Sequence, residues 1–116
     1  MGGQTIHTGA FFVLREAIFV KEGAEYIKIR LADISFLHAD GNYTKIYIEN
    51  IKHHVAVRIG ILVENLPPDI FLRVHRCYAI NIKHVWAYKR RHVFIGDHQL
   101  PISKSNKAHF LEAIKR

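Results

Sequence analysis

The sequence predicts a mainly β fold carrying one short internal helix and a C-terminal helix. Three features lead there. Short runs of Val, Ile, Phe, Tyr and Thr recur along the chain, separated by Gly, Asn and Asp turn signals. Only two stretches place apolar residues at helical spacing. No strand–helix–strand alternation appears, which argues against a parallel α/β sheet. A chain of 116 residues is expected to form one domain, and 49% hydrophobic content is enough for a core.

In chain order, residues 1–16 read as a leader or linker remnant of a longer protein, and residues 17–116 as the domain. Ala17 to Lys21 and Tyr26 to Arg30 are β-forming runs split by Gly23, a hairpin pattern. Asp33 to Ala39 is mostly apolar and reads as a central strand. Asp40-Gly41-Asn42 is a turn signal. Tyr43 to Glu49 alternates Tyr43, Lys45, Tyr47 and Glu49 against Thr44, Ile46 and Ile48, so one face is wet. His53 to Arg58 is its expected partner, across Asn50-Ile51-Lys52. Ile59, Leu62, Val63 and Leu66 fall at i, i+3, i+4 and i+7, a short helix weakened by Gly60 and stopped by Pro67-Pro68. Phe71 to Asn81 is another β-forming run. Strands over Ile82 to Lys89, His92 to Ile95 and His98 to Ile102 follow, with turns at Arg90-Arg91 and Gly96-Asp97. A final helix is expected to start from a Ser103 or Ser105 cap, with Ala108, Leu111 and Ile114 on one face and Phe110 beside them.

Charge divides the chain. Residues 1–70 carry seven Lys/Arg and eight Asp/Glu; residues 71–116 carry ten Lys/Arg and only Asp97 and Glu112. A basic half joined to a near-neutral half suits a polyanion partner better than it suits solubility alone. A single cysteine, Cys77, excludes an internal disulfide and fits a reducing cytoplasm. It reads as a small packed residue before it reads as a redox switch. No run of 18 apolar residues exists to span a membrane, and the first nine residues lack the pattern of a signal peptide.

Catalysis is poorly supported. Nine histidines are many for this length, yet His53 and His54 are adjacent and would point to opposite faces of a strand. No His-x-x-x-His, His-Glu-x-x-His or paired-Cys motif occurs, and no glycine-rich phosphate loop. Neither metal nor cofactor is expected. An RNA-binding sheet platform using Phe36, Tyr43 and Tyr47 is an alternative, although the element order lacks the βαββαβ pattern it needs. A protein-interaction module meeting an acidic partner is another.

The most informative stretch is Phe71-Leu-Arg-Val-His-Arg-Cys-Tyr-Ala-Ile-Asn81. It sets Arg73, His75 and Arg76 between apolar positions, where a half-buried strand would ordinarily carry bland polar groups. The run resembles the signature of the LytTR DNA-binding domain, Phe-x-Arg-x-His-Arg-x-Tyr-x-x-Asn. Two further blocks are similar to that family. Asp33 to Thr44 resembles its Asp-Ile strand and Gly-Asn-Tyr-Thr loop, and Leu100-Pro101-Ile102-Ser103-Lys104 its closing strand. Lys104 stands where arginine is common and Cys77 where serine is common; a lysine lacks the flat fork that arginine sets against guanine.

The resemblance implies an elongated stack of antiparallel β-sheets whose loops enter major grooves of double-stranded DNA. It also implies a transcription-regulating output domain behind a receiver domain, acting on paired direct repeats with a possible homodimer on DNA. By the same resemblance the contacting residues are Asn42, Tyr43 and Thr44 in a first loop, His75, Arg76 and Cys77 in a second, and Ser103, Lys104, Ser105 and Lys107 in a third. Arg76 offers a fork for guanine or phosphate. His75 reads equally as a base reader or as a buttress inside its loop. Asn42, beside Gly41, reads first as a turn residue. Lys104 and Lys107 lie near a helix start, which suits a phosphate. Arg73 reads as structural or peripheral, Asn81 as a tie between strand backbones, and Arg90 and Arg91 first as a solvated hairpin tip and second as a reach to a flanking phosphate.

Overall fold

The computed structural model describes residues 6, 7 and 9–116. Within them the chain forms strands β1 (Ile6–His7), β2 (Phe11–Leu14), β3 (Ala17–Glu22), β4 (Glu25–Arg30), β5 (Phe36–Asp40), β6 (Tyr43–Ile48) and β7 (Ile51–Val55), then helix α1 (Ile59–Glu64). After it come β8 (Phe71–His75), β9 (Tyr78–Asn81), β10 (Ala87–Lys89), β11 (His92–Ile95), β12 (His98–Pro101) and helix α2 (Lys107–Ile114). The strands make three antiparallel sheets, ordered β1-β2-β3-β4, β7-β6-β5-β9-β8 and β10-β11-β12.

The five-stranded sheet is the middle layer, and the period-2 alternation of its strands explains why. Phe36 and Leu37 are neighbours with opposite facings. Leu37, with Ile46, Val55 and Ala79, packs against Phe11, Ile18, Val20 and Ile29 of the first sheet and Ile59 and Leu62 of α1. Phe36, with Leu72, Val74 and Ile80, packs against Val93, Ile95 and Leu100 of the third sheet and Phe110 of α2. A sheet buried on both faces must sit between two others, and the result is an elongated stack of 42 × 29 × 22 Å.

Most expected elements are present, and the differences have identifiable causes. Phe11 to Leu14, assigned above to a leader, form β2; Phe11 is fully buried beneath the middle sheet. The leader expectation for residues 1–5 and 8 lies outside the described residues. The β6–β7 turn is tighter than expected: Ile51 and Lys52 belong to the strand, and Glu49 takes the left-handed conformation (φ 56°) that a two-residue turn requires. Ile82 to His84 is a 3-10 turn and not a strand, because Asn81 Oδ1 accepts the Lys83 N–H at 2.9 Å and curls the backbone.

The last helix is entered differently from the expected cap. A 3-10 turn, Lys104–Asn106, precedes α2, and neither Ser103 nor Ser105 caps a helical N–H with its side chain. Ser103 Oγ instead accepts from Asn106 Nδ2 at 2.6 Å. This start rotates the helix, so Ala108 is exposed while Phe110 is fully buried, flanked by Leu111, Ala113 and Ile114. No helix among the described residues is long and apolar enough to cross a membrane.

Candidate nucleic-acid interface

The three loops expected to act together lie far apart in sequence, and two backbone hydrogen bonds join them. Strand β5 pairs with β9, His38 opposite Tyr78, so the β5–β6 turn and the β8–β9 turn emerge from the same end of the middle sheet. There the Ala39 N–H donates to the Cys77 carbonyl at 2.8 Å. On the other side of the β8–β9 hairpin, the Ser103 N–H donates to the Val74 carbonyl at 2.7 Å. The third loop thus lies along the edge strand β8, and all three loops form one row.

In the first loop Gly41 supplies the left-handed φ of 63° at the turn, and Asn42 and Tyr43 are exposed. Thr44 is not at the surface. It is fully buried, and its hydroxyl donates to the Val57 carbonyl at 2.8 Å, so it ties the base of the loop to the segment after β7.

The second loop is braced from within. Arg73 Nε donates to the His75 carbonyl at 3.0 Å and Arg73 Nη2 to the Arg76 carbonyl at 2.6 Å. The register shift between Arg73 and His75 opens the strand to admit this clamp. His75 Nδ1 accepts the Cys77 N–H at 3.0 Å, which leaves its proton on Nε2. His75 is half-buried and acts as a buttress of its loop, while Arg76 is exposed at the tip. Cys77 is half-buried.

Beneath this loop Tyr78 stacks on His38 with ring centres 4.4 Å apart. Burial, then the neighbouring Cys77 and Tyr47, push the Tyr78 phenol up. Burial and then Lys45 push the His38 imidazole down, with Asp40 opposing and Lys52 adding a smaller push.

In the third loop Ser103 is half-buried and engaged with Asn106 and, at 3.3 Å, with the Ser105 hydroxyl. Lys104 and Ser105 are exposed, and Lys107 is half-buried as the first residue of α2. The exposed surface of the row is therefore built from Asn42, Tyr43, Arg76, Lys104 and Ser105, with His75, Cys77, Ser103 and Lys107 at its margins. Sequence reasoning gave Arg73 and Asn81 structural roles, as found; Asn81 is buried and its Nδ2 donates to the Ile34 carbonyl at 2.9 Å. Reasoning from sequence missed Arg73 as the clamp of the loop and Asn106 as the partner of Ser103. The spacing Arg-x-His-Arg was the available signal for the first.

Two of the three rings of the alternative surface are covered, while Tyr43 is exposed in the first loop. Phe36 is buried, stacked on Tyr47 at 4.2 Å and met edge-on by His98 at 4.9 Å, so the middle sheet does not offer these rings to bases. His53 turns to Glu22 and His54 to Asp40, on opposite faces of β7.

Comparison with known proteins agrees with this architecture. In Rhodospirillum rubrum, the CO-responsive transcriptional regulator RcoM is 35% identical over 60 residues, which are 52% of this chain. The chain spans about a quarter of that relative's length. A solved structure from Bacillus cereus, the LytTr DNA-binding domain of a putative methyl-accepting/DNA response regulator, shares the fold with a TM-score of 0.72 at 19% identity. The match covers 88% of this chain and 99% of that one. The model of the LytTr DNA-binding domain family matches residues 24–115, from β4 through the last helix, and the chain belongs to that family.

Proposed function

We propose that this domain binds double-stranded DNA sequence-specifically to regulate transcription, reading major grooves through the row of loops at one end of its middle sheet. The observation that carries the reading is the pair of backbone hydrogen bonds, from the Ala39 N–H to the Cys77 carbonyl and from the Ser103 N–H to the Val74 carbonyl, that gathers three separate loops into one exposed basic row. Arg76 is the base reader of the row, because its loop is held rigid from behind and its guanidinium is free to fork onto guanine. Asn42 and Tyr43 meet the DNA from the first loop. Lys104, Ser105 and Lys107 hold phosphates, which positions the module without discriminating sequence. His75, Cys77, Thr44 and Ser103 shape the loops that make these contacts.

The domain acts in the cytoplasm as the output part of a longer regulator, on paired direct repeats where two copies sit side by side. RcoM, a transcriptional regulator, supports the regulatory part of that setting by likeness. Salt tests the reading. Affinity for duplex DNA is expected to fall steeply with ionic strength, log K against log salt sloping by about 0.9 for each phosphate held. A flat plot from fluorescence anisotropy would exclude a DNA interface and favour an acidic protein partner.

A further inference from the structure

The tip of the β10–β11 hairpin, Lys89-Arg90-Arg91-His92, extends the row of loops. The Ile102 N–H donates to the Arg91 carbonyl at 2.7 Å, one residue before Ser103 bonds to Val74. The hairpin tip therefore lies beside the third loop on the side away from Arg76. We propose that this tip is a fourth DNA-contacting element, one that grips backbone phosphates flanking the bases read by the other loops. The proposal rests on the DNA reading above and adds a phosphate grip to it.

Three observations carry it. All four residues are exposed, and among the described residues no carboxylate forms an ion pair with any of them. The turn is a two-residue hairpin loop whose first residue turns left-handed, a position where glycine is the usual solution. Arg90 holds a φ of 45° there, a conformation that residues with a β-carbon rarely adopt. Arg15 (φ 60°) and Glu49 (φ 56°) hold the same conformation in other turns, so what marks this turn is its pair of adjacent arginines and not its backbone. Among the described residues no side chain clamps the backbone of this turn, whereas Arg73 clamps the carbonyls of His75 and Arg76. Adaptable cations of that kind suit phosphates, whose spacing is uniform, better than base edges.

The test uses a mixed-sequence duplex several helical turns long, because phosphate binding does not depend on sequence. Wild type, Arg90→Gly and Arg91→Gln are titrated by fluorescence anisotropy over a salt series, with thermal unfolding measured alongside. Glycine relieves the left-handed backbone, so Arg90→Gly is expected to unfold no earlier than wild type. Each variant should nevertheless bind several-fold more weakly at low salt, with a log–log slope flatter by about 0.9 for each phosphate no longer held. Unchanged slopes in both variants, with wild type binding and Lys107→Ala showing its own flattened slope, would overturn the fourth element and leave the three-loop reading standing. Absence of salt-dependent binding by wild type would overturn both.

Discussion

Three hairpin turns in this molecule carry exposed arginines, at Arg15, at Arg76 and at Arg90-Arg91, and the last two are built in opposite ways. The β8–β9 turn is cross-braced: Arg73 holds the His75 and Arg76 carbonyls, His75 holds the Cys77 N–H, and the Ala39 N–H holds the Cys77 carbonyl. Among the described residues the β10–β11 turn takes one hydrogen bond from outside, the Ile102 N–H to the Arg91 carbonyl, and it carries a left-handed arginine at its tip. Discrimination between bases needs a side chain held within a fraction of an ångström, and the supporting hydrogen bonds supply that. Charge attraction tolerates movement, so a turn serving only charge needs no brace. On the proposed reading, the difference between the two turns separates a reader from a clamp.

Removing the brace tests this contrast most severely. Arg73→Ala frees two carbonyls from charged donors and is expected to destabilise the fold by about 2 kcal/mol. It should also erase the preference for the specific site, because Arg76 loses its fixed geometry. Urea unfolding and site selection from randomised duplexes measure the two effects. A variant that keeps its preferred site would show that the brace is not needed for reading.

Removing the reader comes next. Arg76→Ala is expected to cost about 1–3 kcal/mol on the preferred site and little on mixed-sequence duplex, whereas Lys107→Ala should weaken both alike. Equal losses for Arg76→Ala on the two DNAs would make the braced turn a phosphate clamp and dissolve the comparison.

The smallest effect concerns pH. His38 stacks on Tyr78 at the foot of the braced turn, and burial holds its proton affinity below the ordinary value of 6.5. A lowered folded-state value means that the unfolded chain takes up the proton first. His38 therefore contributes no penalty above 6.5 and a growing one as pH falls below it, until the folded state also protonates. His38→Gln should flatten this loss of stability on the acid side, read as the urea midpoint against pH. Parallel curves for the two proteins would remove His38 from the account.

Local rules explain how far each element could be anticipated. Gly23, Gly41 and Gly96 marked turns because left-handed backbone favours glycine, and all three are found there. The β3–β4 hairpin, β5, β6 and α1 followed from short-range patterns in the same way. Ile82 to His84 misled because Ile and Val are β-formers, while the buried Asn81 side chain bends the chain after it. Ser103 was well placed to cap a helix, yet Asn106 engages its hydroxyl and a 3-10 turn intervenes. Thr44 had the polarity of a contact residue, and only the Val57 carbonyl explains why it is buried.

The sequence by itself determined the succession of strands and turns, the concentration of cations after residue 71, and the family through blocks such as Phe71 to Asn81. Each of these depends on a residue and its near neighbours: alternation at period two, a glycine at a turn, an arginine beside a histidine. The tertiary structure alone decided that Asn42, Arg76 and Lys104 belong to one surface, and that Arg90 and Arg91 lie next to it. Those placements come from pairing between distant segments, β5 with β9 and Val74 with Ser103. Such pairings are selected by the burial of Leu37 on one side of the middle sheet and Phe36 on the other, a condition satisfied only when all three layers pack at once.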